Sequence, residues 1–232
     1  MRATEFISTE PINEITPFTP EYDPSDVIPG IDYSWTGSGK LNQIKTASKP
    51  LKPKFRIAIL PAKHRHDGGY VYVITDEGEV VSYVSYSIAP DHLSISDVYV
   101  LKKARGNNLA VEMYKRLMKQ YKKPLVSDVL QTRKGQRLWS NLYADPEINV
   151  MGLVSIQKAY TDALKPELEK LGAEYYKNID HYWDTYLVPV KQLASLKRLQ
   201  FKKRNQIIKL YDPSNYEPRV DTTLIAFLKG QK

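Results

Sequence analysis

Between Leu93 and Tyr121 the apolar residues change period within a few positions, and this change restricts the fold more than any other feature of the chain. Leu93–Leu101 reads as a strand with Ile95, Val98 and Val100 among its core residues. Leu109, Met113, Leu117 and Tyr121 then recur every fourth residue, with Ala110, Tyr114 and Met118 beside them. That spacing lines one apolar face of a helix, predicted to begin at Asn107 or Asn108 and run to about Gln120. Lys115, Arg116, Lys119 and Lys122 are expected largely off that face. Pro124–Leu130 follows as a short, nearly all-apolar run, the pattern of a strand covered on both sides. A strand, a helix and a strand in this order predict a crossover between parallel neighbours.

The flanking segments extend the pattern. Phe55–Leu60, Gly69–Thr75 and Glu79–Ile88 read as strands, with a turn over Pro61–Gly69 and an antiparallel hairpin closed at Asp76-Glu77-Gly78. Thr132 is predicted to cap a helix from about Arg133 to Tyr143, with Leu138, Trp139 and Leu142 facing inward. Beyond Pro146, Val150–Ile156 fits either a strand or a helix start, and Ile156–Leu171 is broadly helical with a break or a second helical start required at Pro166. Thr185–Val190 and Thr222–Leu228 read as strands. Lys191–Lys209 between them reads as one basic helix on Leu193, Leu196, Leu199 and Ile207. Pro11, Pro17, Pro20, Pro24 and Pro29 forbid a long helix near the start, so residues 1–54 are expected to be an irregular arm anchored by Tyr22, Tyr33 and Trp35. The predicted class is α/β, a mixed central sheet of antiparallel strands followed by a β-α-β-α unit. One domain is expected over 55–232, elaborated after residue 146 and carrying a basic helical insertion at 191–219.

Composition narrows the chemistry. Hydrophobic residues at 42% and charged residues at 26% suit a folded chain. Cysteine is absent, which excludes a disulfide scaffold, a thiol nucleophile and thiolate metal sites. No apolar run resembles a signal peptide or a membrane span, so a soluble, cytoplasmic protein is expected. The formal charge of +8 is unevenly spread: residues 191–209 carry seven bases and no acid, and residues 102–123 eight bases against Glu112 alone. Such blocks either keep a surface solvated or attract phosphate groups, of a cofactor or of a nucleic acid.

The turn Leu101-Lys102-Lys103-Ala104-Arg105-Gly106-Asn107-Asn108-Leu109-Ala110 joins the strand to the helix. Unpaired amides at a helix start and the helix dipole can hold an anion, and Gly106 and the asparagines tolerate unusual backbone angles. The same residues also fit an ordinary helix start with a basic surface turn. Neither a P-loop nor the three-glycine dinucleotide fingerprint is present, which argues against nucleotide hydrolysis and nicotinamide chemistry.

Residues 55–143 resemble the GCN5-related N-acetyltransferase (GNAT) family. In that family a central strand leads into an Arg/Gln-x-x-Gly-x-Gly/Ala turn whose amides hold the pyrophosphate of acetyl-coenzyme A. Here Arg105 matches the first position and Ala110 the last, Gly106 fits a frequent variant, and Asn108 stands where glycine is usual. The resemblance implies a GNAT-like sheet and acetyl-coenzyme A as cofactor, bound by Val98, Val100, Arg105, Gly106, Asn107, Asn108, Leu109 and Ala110. It also implies an amine acceptor in a protein, a small molecule or a nucleobase. Asp97 and Asp128 are the candidate bases. Tyr143, with Tyr160 as the fallback, is the analogue by order of a tyrosine that protonates the leaving thiolate. Asn141 is a candidate for orienting the pantetheine arm. Val126–Trp139 further resembles divergent acetyltransferase-like proteins of tailed bacteriophages, which would place the chain in a host cytoplasm or a virion. Ser127 and Asp128 in that segment are site candidates, while Thr132 and Trp139 read as cap and core. His64 and His66 lack the spacing of a zinc site, His92 falls in a turn that could line the acceptor side, and His181 reads as packing. The other functional class is a virion or DNA-associated protein that keeps the fold without the chemistry, using Lys191–Lys209 with Phe201 and Tyr211 against a polyanion.

Overall fold

Gly78 closes the first hairpin: at φ +88° its N–H donates to the Thr75 carbonyl at 2.9 Å, and the Thr75 N–H donates to Glu79 at 2.8 Å. From this hairpin the sheet grows in both directions. The computed structural model describes residues 39–61, 68–127, 133–180, 183–193, 195 and 220–230. They divide into two compact units, one ending at Leu125 and the other running from Val126 to Gly230.

The first unit contains α1 (Gly39–Ala47), β1 (Lys49–Lys52), β2 (Phe55–Pro61), β3 (Gly68–Thr75), β4 (Val80–Ile88), β5 (Leu93–Val100) and α2 (Leu109–Tyr121). Its strands run antiparallel in sequence order, β1 to β5. The central strands are almost wholly buried, with Val71, Val73, Val80 and Val84 at 0% exposure, as β-branched residues suit a covered sheet. The expected arm is therefore regular over its last residues. Ile44 is buried and α1 packs on β2, a packing set by distant residues that no local period announced.

On α2, Leu109, Met113 and Leu117 are buried as predicted, and Met113 meets the Ser82 hydroxyl through its sulfur at 3.7 Å. Val111 and Lys115 are buried as well. The four-residue stripe is thus one row of a wider covered surface, and the expectation that Lys115 lies off it is corrected. A lysine stem can lie along apolar surface while its ammonium reaches outward. The short strand β6 (Leu125–Val126) falls at the boundary of the units. The Leu93 N–H donates to the Pro124 carbonyl at 2.8 Å, so β5 and β6 start side by side, as the crossover through α2 requires. The sheet is mixed, as expected.

The second unit contains α3 (Arg133–Ala144), β7 (Ile148–Gln157), α4 (Lys158–Lys170), β8 (Glu174–Asp180), β9 (Trp183–Pro189) and β10 (Val220–Leu228). Its strands pair antiparallel in the order β10-β7-β9-β8. Val150–Ile156 is strand throughout: Val150, Gly152, Val154 and Ile156 are buried in strict alternation, which resolves the strand-or-helix ambiguity. Neither the break nor the second helical start expected at Pro166 occurs, and α4 continues through it. Pro166 and Asp162, whose carbonyl loses its helical partner there, are both on the exposed side. β8 is a strand without a clear sequence period, and its charged residues and half-exposed Tyr175 belong to an end strand. Of the expected basic helix, only 191–193 and 195 are described, beginning with a 3-10 turn over Val190–Gln192. No helix among the described residues is long and apolar enough to cross a membrane.

Candidate functional site

The chain leaves β5 at Leu101 and makes one 3-10 turn, Lys102–Ala104. The Ala104 N–H donates to the Leu101 carbonyl at 2.9 Å and the Arg105 N–H to Lys102 at 3.3 Å. Leu101 and Ala104 are buried beneath the turn, while Arg105, Gly106, Asn107 and Asn108 are exposed. Gly106 has φ +82°. A Cβ there would meet nothing within 4 Å, so conformation, not space, demands glycine. Asn108, the residue before the helix, has φ +56° and ψ +27°. Asparagine enters this left-handed region more readily than most residues. The departure from the resembled motif at Asn108 is therefore one of side chain, and the backbone keeps a conformation glycine would favour.

The first helical bond runs from the Glu112 N–H to the Asn108 carbonyl at 3.2 Å. No side chain caps the helix start. The Asn107 amide instead folds back, its Nδ2 donating to the Ala104 carbonyl at 3.0 Å. The amides of Leu109, Ala110 and Val111 have no intrahelical acceptor, and the helix dipole adds positive potential where they end. The neighbouring charges are not all available to a ligand. Lys103 is ion-paired with Glu79, and Arg105 is oriented by its Nε, which donates to the Val100 carbonyl at 3.1 Å. Lys52, which no sequence motif singles out, donates to the Asn107 carbonyl at 3.0 Å and lies 3.6 Å from the Glu112 carboxylate. An exposed, uncapped helix start entered through left-handed residues is a ready receptor for an anion such as a diphosphate.

On β5 the ladder to β4 shifts register: Asp97 pairs with Ser85 and Ile95 with Tyr86, leaving Ser96 as the extra residue of a bulge. Val98 and Val100 share the face that carries α2, because Val100 lies opposite Ser82. Asp97 projects from the other face and is exposed. The buried Tyr83 donates its phenol proton to Asp97 Oδ2. Burial, then the bond and charge of Asp97, push the Tyr83 phenol well above its ordinary range. Burial and the Asp97 charge do the same to Tyr114 on α2. Both phenols are neutral, and Tyr83 is a fixed donor that holds one carboxylate oxygen of Asp97. Tyr83 could not be found from sequence, because pairing register is invisible there.

His92 lies between β4 and β5. Its Nδ1 is 2.7 Å from Asp91 Oδ1. Burial and the Lys123 ammonium hold its imidazole below the usual value, so the ring is neutral near pH 7 and donates through Nδ1.

The remaining candidates belong to the second unit or lie outside the described residues. Asn141 and Tyr143 are exposed on α3. Tyr160 lies in α4. Ser127 is buried and structural: its N–H donates to the Leu224 carbonyl at 2.8 Å, and its Oγ accepts from the Leu224 N–H at 2.9 Å. Asp128, Thr132, His64, His66 and His181, and the basic residues from 196 to 209, fall outside the described residues. Among the described residues no group of carboxylates and histidines could hold a metal ion.

Residues 40–144 match the acetyltransferase (GNAT) family. No curated protein matches the chain. Among solved structures, it is similar to one described as a GnaT-family acetyltransferase from Bordetella pertussis, with 15% identity, a TM-score of 0.22 and coverage of 53% of this chain and 65% of that one. A second is described as a streptothricin acetyltransferase from Bacillus anthracis in complex with acetyl coenzyme A, with 10% identity, a TM-score of 0.30 and coverage of 54% and 64%. A third, described as a GNAT-family acetyltransferase from Bacteroides thetaiotaomicron, shows 11% identity and a TM-score of 0.30, covering 70% and 88%. The chain thus spans less than two thirds of the length of the first two. The family match and the element order agree, and residues 40–144 carry the acetyltransferase (GNAT) fold.

Proposed function

We propose that this chain is an acetyl-coenzyme A-dependent N-acetyltransferase acting on an amine. The observation that carries this reading is the uncapped start of α2, reached through left-handed Gly106 and Asn108, inside the stretch that matches the family. The residues present fit the cofactor. The amides from Gly106 to Ala110, with the charges of Lys102 and Arg105, would hold its diphosphate, and Val98 and Val100 would flank its acyl arm. When bound, the cofactor supplies an activated acetyl thioester, so the absence of cysteine is no obstacle.

The chain's own residues do the remaining work. Asp97 accepts the proton that the acceptor amine must lose, through the carboxylate oxygen not bonded to Tyr83. Tyr83 is a positioning residue that fixes the carboxylate. The bulge at Ser96 frees strand backbone for a ligand. Asn141 as a guide for the pantetheine arm, Tyr143 as proton donor to the thiolate and Asp128 as an alternative base are supported by the resemblance alone. A virion or DNA-associated role through Lys191–Lys209 is supported by charge alone.

The test is Asp97→Asn, expected to lower kcat by about 100-fold while acetyl-coenzyme A affinity stays within about twofold. Unchanged kcat would remove Asp97 from the chemistry.

A further inference from the structure

Two isoleucines of β2 lie on the sheet face that carries α2. Register runs Ile57–Val73–Ser82–Val100 along one rung and Ile59–Val71–Val84–Val98 along the next, and directly paired residues share a face. On that face, bounded by β2, the end of α1 and the last two turns of α2, is a cavity of about 360 Å³. Ile57 and Ile59 supply its apolar lining. Lys49, which pairs with Ile57 from β1, and Arg116 and Lys119 of α2 supply its charge, and no carboxylate lines it.

Arg116 is the best-placed of the three bases. It is half-buried, and its Nη2 donates to the Pro50 carbonyl at 3.4 Å, which orients the guanidinium and leaves the rest of its donor fork for an anion. Glu112, one helical turn earlier, lies against Lys52 instead. Lys119 stands in the last turn of α2, where a base also complements the helix end. Lys49 and Arg116 have no such role. A wholly apolar ligand would leave these cations without a partner, and a bare anion would leave the isoleucines wet. Three positive charges suit a dianion better than a monoanion. Ile57 and Ile59 are two residues apart on one strand, roughly 7 Å, which fits a short apolar body and not a long chain.

We propose that this cavity is a binding site for a phosphate monoester with a short apolar body. It is separate from the machinery of the proposed acetyl transfer. Three strand spacings, roughly 14 Å, divide the backbones of Ile57 and Ile59 from those of Val100 and Val98. Arg116 lies eight residues beyond Asn108, about 12 Å along α2, and Asp97 projects from the opposite face of the sheet. The site and the enzyme reading can therefore fail separately.

The probe is hexyl phosphate, titrated calorimetrically into the full chain without acetyl-coenzyme A. Saturable binding is expected, at least about tenfold tighter than that of inorganic phosphate, which lacks the apolar body, or of 1-hexanol, which lacks the charge. Hexanoate, with a single negative charge, should bind at least about threefold more weakly than hexyl phosphate. Arg116→Gln should weaken hexyl phosphate by about tenfold and Lys49→Gln by about threefold. Lys170→Gln, which removes a charge from the end of α4, should change it by less than about twofold. Gly106→Val, which alters the cofactor turn, should also leave it within about twofold of the parent. Circular dichroism of each variant at the titration temperature shows that it is folded. Binding that does not saturate, or an Arg116→Gln protein that binds like the parent, would overturn the site. So would inorganic phosphate, 1-hexanol or hexanoate binding as tightly as hexyl phosphate. A loss in Gly106→Val as large as in Arg116→Gln would place the probe at the start of α2 and overturn the site as well. A chain that binds hexyl phosphate as expected but acetylates no amine would support the site and contradict the enzyme.

Discussion

Asn108 is where the turn departs from the motif it resembles and where the backbone decides what the departure means. With φ +56°, asparagine meets the same conformational demand that glycine would. Asn108→Gly is expected to leave stability within about 0.5 kcal/mol of the parent. Gly106→Val forces a β-branched residue to φ +82° and should cost about 1–2 kcal/mol. Urea unfolding of both variants checks this, and equal midpoints would show that the turn relaxes out of its left-handed geometry. The candidate base is likewise set by one contact: Tyr83 fixes Asp97 from a neighbouring strand. The charge, glycine and helix start of this turn were legible in the sequence because they are local. The ion pair that occupies Lys103 and the bond from Lys52 were not, because their partners come from the turn between β3 and β4 and from β1.

At the scale of elements, one buried hydrogen bond ties α4 to β9. Thr161 on α4 donates to the buried Asp184 carboxylate of β9 at 2.8 Å. Thr161→Val should destabilise the second unit by about 1–3 kcal/mol, because it leaves a buried carboxylate without its donor. Chemical denaturation measures this, and a change below about 0.5 kcal/mol would mean that Asp184 finds water.

The phenols of Tyr72, Tyr83, Tyr86 and Tyr114 are all raised, burial being the first cause for each. A phenol whose folded value exceeds its unfolded value of roughly 10 stabilises the fold fully below that pH. The contribution is lost as pH rises through the folded value. Denaturation midpoints should therefore fall as pH rises above about 10, and absorbance near 295 nm should show these phenols ionising only as the protein unfolds. A midpoint that is flat to pH 11 would contradict their burial.

Elements with a clean period, β2 to β5, α2 and α3, were readable from the sequence to within a residue or two. The exceptions have physical causes. An amphipathic stripe does not report a second covered row, so Lys115 was misplaced. Proline on an exposed helix side costs a bond to a solvent-facing carbonyl without ending the helix, so α4 continues. End strands such as β8 carry charge that hides their alternation.

At the scale of the molecule, the acetyltransferase match ends at residue 144. The strands β7, β8, β9 and β10 follow it in a second compact unit. What joins sequence to function is the segment from β5 through the turn into α2, held within the first unit. Its amides, left without a capping side chain, are the feature the functional reading depends on. The most direct test is calorimetric titration of the full chain with acetyl-coenzyme A, alongside Gly106→Val and Asn108→Gly. A micromolar Kd is expected for the parent, with at least about tenfold weaker binding for Gly106→Val and a Kd within about twofold of the parent for Asn108→Gly. No heat from the parent at millimolar cofactor, or equal affinity in the folded Gly106→Val protein, would contradict the functional reading.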